Sequence, residues 1–411
     1  ATPKAADRHT LVGRPTGRID ARAMVTGAQR YTLDLDVPGA KPCVVRRPPT
    51  LGGTVRSVAN LAAARAMPGV LHVVTIPTGV AVVAETFGQA LDARAALQVA
   101  WGPGPADRLS DPEIRAALRA AAPAPLLPPL LTPYVDAEFD FAFVSHAPME
   151  TNSAVADVRE DRAEIWSGLK SPIVARQTIA AELGLPVDRV TVHVVQAGGS
   201  FGRRLFFDAA LEAARVSQAC RRPVRLMWTR VDDTRHGRMR PATHHRIRAT
   251  YALGEVLGFE HRVAAAETDF RHGLGEIITA TAANLPAGIG NATLAQTLFH
   301  TTVKSPYHFG LTTHGLTEVP TGIPTGSWRS VYSANTRGAE EIVVDELAAR
   351  TGKDPYRFRR TFLKNDAQRA VLDKAATEGE WAADARRLRP GHRLPRGVQV
   401  PYRLPGRDRR P

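Results

Sequence analysis

Cysteine is nearly absent: Cys43 and Cys220 are the only two in 411 residues, and they share no C-x-x-C spacing. They cannot assemble an iron–sulfur cluster or a structural zinc site within this chain, and they read as packed thiols. Long apolar runs are missing too, since no stretch approaches the ~18 residues that span a bilayer. The opening ATPKAADRHT has no apolar signal core and does not begin with Met, so localisation is not readable from it. Ser200 lies among glycines without a neighbouring His, so no nucleophile triad is signalled. Acidic residues are outnumbered, leaving a net charge of +14. Half of that excess sits in residues 382–411, where nine arginines face only Asp384 and Asp408. Elsewhere no basic stripe is interleaved with aromatics, which argues against a nucleic-acid partner.

What is present is ordinary globular composition, 44% apolar and 23% charged, long enough for two or three domains with cores of their own. The chain is organised around residues 190–230. Val190–Val195 is β-branched and apolar, Gly198, Gly199 and Gly202 break the pattern, Leu205–Ala219 has helical spacing, and Val224–Trp228 reads as strand again. Such a strand, glycine loop, helix, strand unit suits anion binding, because loop N–H groups and a helix N-terminus present partial positive charge. Arg203 and Arg204 add full charges able to pair with phosphate. A tight structural turn is the alternative reading of the same glycines. A dinucleotide site is the weaker version, because Arg221 and Arg222 stand about 20 residues on, where a ribose-binding carboxylate is expected.

Residues 9–101 read as a compact α/β unit. Gln29–Leu35 is expected as a strand, Asn60 as the cap of a helix reaching Met67, Val70–Ile76 and Val80–Ala84 as strands, Thr86 as the cap of a helix to Ala95, and Leu97–Trp101 as a closing strand. Residues 102–133 form a connection in which Asp111 caps a helix Pro112–Ala121, followed by PAPLLPPLLTP as a strap packed through its leucines. Strands and helices alternate over 134–381: Ala154–Val158, Ala163–Trp166, a helix Ile173–Leu183, a hairpin His244–Ala252 with Val256–Ala265, and a helix Ala339–Arg350. Residues 382–411, rich in Arg and Pro, are expected to be irregular. The composition also fits an out-of-frame reading of a GC-rich gene.

Few side chains announce chemistry. His244 and His245 alternate across a strand and cannot share a metal. Asp232, Asp233 and His236 read as a loop-end charge cluster. Glu150, after His146, Pro148 and Met149, is either a buried functional carboxylate or part of an exposed turn. Gly326–Arg329 puts one Arg just before a long helix, a position suited to orienting an anion or substrate and equally common on surfaces.

In this order, VGRPTGRIDARAMVTGAQRYTLDL (12–35), HAPMETNSAVADV (146–158), AGGSFGRR (197–204), GSWRS (326–330) and AEEIVVDELAARTGKDPYRFR (339–359) resemble the large subunit of molybdenum hydroxylases of the xanthine dehydrogenase family, most closely the branch that holds the isoquinoline 1-oxidoreductase beta subunit. The resemblance implies a mixed α/β (α+β) architecture: a hammerhead-like α/β domain (9–101), a Pro-rich strap (102–133), a first molybdopterin-binding domain (134–381) and the irregular tail (382–411), with the second cofactor domain missing. It implies that Gly198, Gly199, Ser200, Phe201 and Gly202, with Arg203 and Lys170, bind molybdenum with molybdopterin cytosine dinucleotide. Phe201 then lies in the substrate pocket and Arg329 near metal or substrate, as catalytic candidates. The metal is held by the cofactor's dithiolene, so no protein metal ligands are expected. The implied activity is hydroxylation of an N-heteroaromatic ring, or oxidation of an aldehyde, with oxygen from water. A separate small subunit carries two [2Fe–2S] clusters, and no membrane span is expected.

Three departures belong to the same resemblance. Lys170 stands where a Gln is common, and Leu205 where purine-oxidising relatives have Glu. The catalytic Glu of the second cofactor domain is absent from this chain, as is the branch's N-terminal segment, which is often linked to export to the cell envelope. The chain is therefore expected to be the middle of a larger subunit, and a non-catalytic truncated remnant or assembly module is the alternative.

Overall fold

A computed structural model describes residues 3–126, 132–271, 281 and 285–381. The expectation for the tail at 382–411 lies outside these residues, as do residues 127–131 of the Pro- and Leu-rich strap.

The first sheet has seven strands: β1 (Lys41–Arg46), β3 (Val70–Ile76), β4 (Gly79–Ala84), β8 (Ser153–Val158), β9 (Ala163–Ser167), β10 (Val190–Val194) and β11 (Val224–Met227). Their spatial order is β10-β9-β8-β11-β1-β4-β3. β1 pairs in parallel with β11, Lys41 opposite Val224, so one sheet crosses the expected boundary between the N-terminal unit and the rest. Every residue of β4 is buried, which its unbroken apolar run requires of a strand covered on both faces. One face, through Cys43, Val45, Ala81 and Val83, packs on α5 (Pro172–Leu183) and α6 (Asp208–Cys220). The other, through Val44, Val80 and Val82, packs on α2 (Leu61–Arg65) and α3 (Phe87–Ala96). A separate ribbon pairs β2 (Thr54–Val58) with β5 (Val99–Gly102).

The second large sheet runs β15-β14-β13-β6, from β6 (Tyr134–Phe141), β13 (Thr243–Ala252), β14 (Glu255–Ala266) and β15 (Leu311–Val319). Phe139, Ile247, Ala249 and Phe259 face α9 (Ser333–Arg350) and α10 (Pro355–Phe362). Val263, Ala265 and Leu316 face α8 (Ile289–Thr302). The opposite face receives Ile114 and Leu118 of α4 (Asp111–Ala121). The elements left are α1 (Ala21–Val25), α7 (Arg230–Arg235), α11 (Asp366–Glu378) and the short pair β7 (Val144–Ser145) with β12 (Met239–Arg240). No helix among the described residues is long and apolar enough to cross a membrane.

Local chemistry explains where the sequence-based expectations miss. Gln29–Leu35 is not a strand: Asp34 accepts the Tyr31 N–H at 3.0 Å and closes a 3₁₀ turn over Thr32–Asp34. The Asn60 side chain does not cap α2; it accepts from Gln98 N–H and donates to Ala96 O, both at 2.8 Å, and α2 ends at Arg65. Ser110, not Asp111, caps α4, with Glu113 accepting its N–H and O–H at 2.7 and 2.8 Å. The described part of the strap is tied down by polar contacts, Arg246 to Ala122 O and Leu126 N–H to Glu260, while the Leu126 side chain is exposed.

Candidate cofactor site

The glycine stretch leaves β10 and turns against two other segments. Glu150, ahead of β8, accepts the Gly198 N–H at 2.8 Å, and its own N–H donates to Gly198 O at 3.0 Å. A Cβ at Gly198 would lie 2.6 Å from the Glu150 Cβ, so only glycine allows this pairing. The Arg204 guanidinium is buried and donates to Glu150 O, Glu150 Oε2 and Thr151 O at 3.0–3.1 Å. Glu150 is thus the partly buried carboxylate that fixes the loop, and not part of an exposed turn.

The second contact is to the β15–α9 connection. Gly202 has φ +103°, and a Cβ there would stand 1.6 Å from Ser327 O. Arg329 N–H donates to Phe201 O at 2.8 Å, and its guanidinium lies 4.6 Å from the Phe201 ring centroid. Phe201 takes a positive φ of 55° and is 38% exposed. Phe201, Arg329 and Lys170 are all exposed, and Lys170 N–H donates to Arg204 O at 2.7 Å. The fold therefore brings together the residues named at 170, 198–202 and 329, which sequence spacing alone could not do.

Arg203 points the other way. It is 1% exposed, its guanidinium is 2.8 Å from Asp208, and it sits 5.5 Å from the Trp228 ring centroid. The helix after the loop begins only at Asp208, with the 3₁₀ turn Arg203–Leu205 between, so its N-terminus does not meet the glycines directly and opens on a carboxylate. β10 and β11 are separated by β9 and β8, unlike the adjacent strands of a dinucleotide-binding βαβ unit.

Sequence reading missed several groups behind the loop. Asp232 and Asp233 are not at a loop end: they are buried in α7, where Asp232 binds Arg94 and Asp233 accepts from Asn152 at 2.6 Å. Burial pushes the Asp233 carboxyl up, against the pull of Arg203 and Arg230. His146 bridges two chain segments, with Nδ1 3.0 Å from Arg238 O and Nε2 3.1 Å from Ser327 O. Burial, against the Ser327 carbonyl and aided by Arg203, lowers it to about 4, so at neutral pH one of these two contacts carries the proton. Trp328 Nε1 and Arg240 Nε are buried donors without an acceptor among the described residues, with Arg240 4.8 Å from the Trp328 ring centroid. The Nε of several other arginines is likewise buried without an acceptor among the described residues, so the Trp328 indole N–H is the informative donor, and it sits next to a loop whose glycines keep backbone accessible. That combination fits a ligand rich in acceptor oxygens. Trp328 lies in a segment the sequence singled out; nothing near Arg240 signalled it.

Comparison with known proteins agrees. Residues 132–363 match the model of the molybdopterin cofactor-binding domain. The beta subunit of isoquinoline 1-oxidoreductase from Brevundimonas diminuta is 29% identical, over 92% of this chain and 50% of its own length. A nicotinate dehydrogenase subunit of Pseudomonas putida is 26% identical, over 93% of this chain and 33% of its own length. The chain thus spans a third to a half of these relatives. Among solved structures, quinoline 2-oxidoreductase from Pseudomonas putida 86 superposes with a TM-score of 0.65 at 18% identity, covering 88% of this chain and 53% of that one. Aldehyde oxidoreductase from Desulfovibrio gigas gives 0.64 at 18% identity, covering 88% and 46%. With the domain model matched over more than half of its residues, the chain belongs to the molybdopterin cofactor-binding domain family.

Proposed function

We propose that this chain is the molybdopterin-binding part of an oxidoreductase that hydroxylates an N-heteroaromatic ring or oxidises an aldehyde. The observation that carries the proposal is the closure of the 197–204 loop on Ser327–Arg329, where glycine is the one residue that fits and the Trp328 N–H has no protein acceptor among the described residues. The form with a cytosine dinucleotide suits this place, since exposed loop backbone and nearby cations stabilise a diphosphate. When bound, the molybdenum cofactor supplies two-electron oxidation with oxygen drawn from water.

The chain's own residues bind and orient. Glu150 and Arg204 hold the loop in one conformation, so its N–H groups need no rearrangement on binding. Arg203, expected from the sequence to pair with phosphate, is left out of the cofactor set, because its guanidinium is buried on Asp208 and its N–H donates to Ser200 O. Lys170 and Arg329 place positive charge on the open face, and the Phe201 ring, backed by Arg329, offers a flat apolar surface for a planar substrate. A small iron–sulfur subunit is the proposed electron acceptor. Isoquinoline 1-oxidoreductase and the molybdenum-binding subunit PaoC of an aldehyde oxidoreductase from Escherichia coli (27% identical over 88% of the chain) motivate the two substrate classes.

The test is to produce the large subunit containing this chain with its small subunit and cofactor maturation. Molybdenum and acid-released cytidine nucleotide are then quantified, and dye reduction is assayed with isoquinoline and an aromatic aldehyde. About one molybdenum and one cytidine nucleotide per complex, with turnover of one substrate class, is expected. A folded complex that retains no molybdenum overturns the proposal.

A further inference from the structure

A second constellation lies under α9, on the face of the second sheet away from α4. His261 on β14, His314 on β15 and Glu340 on α9 bring their ligand atoms within 4.8 Å of one another. Glu340 Oε1 stands 3.3 Å from His261 Nδ1 and 2.7 Å from His314 Nε2. The His261 and Glu340 side chains are 0% and 1% exposed, and that of His314 is 9% exposed, so the cluster is open only on the His314 side. We propose that His261 Nδ1, His314 Nε2 and a Glu340 carboxylate oxygen form a site for a divalent transition-metal ion of the zinc type.

Ligand arms of about 2.0–2.2 Å at a tetrahedral angle put neighbouring donors about 3.4 Å apart. The His261 contact is already at that spacing. The His314 contact has to open by about 0.7 Å, and the two imidazole nitrogens, which lie within 4.8 Å of each other, have to settle at the same spacing, movements that fall to the residue at the accessible edge. Two imidazoles and one carboxylate suit zinc and its neighbours in the transition series better than calcium or magnesium, which take oxygen ligands. Three protein ligands leave a fourth position for water.

The surroundings supply the orientation that a ligating imidazole needs. His261 Nε2 is 2.8 Å from His245 Nδ1, and His245 Nε2 is 2.8 Å from Thr243 Oγ1, which also accepts from Asn335 at 2.9 Å. The protons of this row can run either way, although in the reversed direction Thr243 Oγ1 accepts twice and its own O–H needs an acceptor outside the row. If Thr243 donates to His245 and His245 to His261, then His261 Nδ1–H donates to Glu340 and no ion is required. If the protons run back, His261 Nε2–H donates to His245, His245 Nε2–H donates to Thr243, and the Nδ1 lone pair is free to ligate. An ion and a reversed row of protons therefore accompany each other, as outer hydrogen bonds set the tautomer of a metal-bound His. Arg337 is paired with Glu340 Oε2 and is the competing cation. Its side chain is 28% exposed, so it is able to leave.

Such an ion ties β14 and β15 to the helix that follows the Ser327–Arg329 loop, and it is independent of the molybdenum reading. The full chain, tag removed and chelator-stripped, is titrated with zinc by calorimetry and with cobalt(II) by visible absorption, and its bound metal is counted after dialysis. We expect about one zinc per chain, tetrahedral cobalt bands, and a Tm rise of a few degrees at saturating zinc. His314→Ala, at the open edge where folding tolerates truncation, weakens zinc at least tenfold, and Arg337→Gln tightens it. No stoichiometric uptake by the wild-type chain, or uptake unchanged in both His314→Ala and Glu340→Gln, overturns the proposal.

Discussion

At Gly202 one methyl group decides whether two loops meet. Its φ of +103° and the Ser327 carbonyl, 1.6 Å from where a Cβ would stand, mean that Gly202→Ala must displace one loop. The backbone strain alone costs about 1–3 kcal/mol. The expected outcome is a folded protein that loses most of its molybdenum, read by metal analysis beside a circular-dichroism melt. A second prediction concerns Glu318, which accepts from Thr268 N–H at 3.0 Å and Tyr332 O–H at 2.9 Å. Burial raises its carboxyl to about 7 from an ordinary 4.5, despite those two donors. The folded state therefore holds this proton more tightly than the unfolded chain. Stability from this group is full below about pH 4.5, falls as pH rises towards 7 and levels off above, a change on the order of 3 kcal/mol. Glu318→Gln, which keeps the acceptor oxygen without the charge, should flatten that slope and make the protein more stable than wild type at pH 8. Urea midpoints between pH 5 and pH 8 measure it.

Among the elements, the start of α3 was legible from its reciprocal cap, whereas the same device at Ser110 and Thr229 was not read as a cap. Thr86 accepts the Gln89 N–H at 3.2 Å while Gln89 accepts the Thr86 N–H at 3.1 Å, the arrangement that a Thr three residues before a Gln announces. Thr86→Ala should cost about 1 kcal/mol, read as a shift of the denaturation midpoint without a change in slope. Asn60 looked equally like a cap, yet its side chain is taken by Gln98 and Ala96 across the fold. Local pattern cannot tell these cases apart, because the competing partner is more than thirty residues away. The β13–β14 hairpin was legible from its alternation around Gly254, and the opposite facing of His244 and His245 with it: His244 bonds Asp140 at 2.7 Å, and His245 bonds His261 on the other side.

Across the whole molecule, a buried ion network joins the N-terminal strands to the rest. Arg47, just past β1, binds both oxygens of Glu212 on α6 at 2.7 and 2.8 Å and lies 3.9 Å from the Trp228 ring centroid. Glu212 also accepts the Trp228 indole N–H at 2.7 Å. Arg47→Ala would leave a buried carboxylate without its cation, at a cost of about 3–5 kcal/mol. Because the same sheet crosses this junction through β1 and β11, the loss should lower a single unfolding transition. Scanning calorimetry would show the expectation to be wrong if residues 41–102 melted separately from the remainder.

Periodicity, caps and glycine placement settled in advance most strands and helices, because those depend on neighbours within a few residues. The ordered motifs around 146–158, 197–204 and 326–330 settled the family for the same reason: each is a short segment whose backbone needs particular residues. Contacts between distant segments were decided only by tertiary structure. Gly202 against Ser327, Glu150 against Gly198, the inward turn of Arg203 and the Trp328 N–H, which has no acceptor among the described residues, all depend on how the loops after β10 and β15 approach each other. His261, His314 and Glu340 carry no shared spacing at all; parallel pairing of β14 with β15, His261 opposite His314, and the packing of α9 above them put three separated residues in one place.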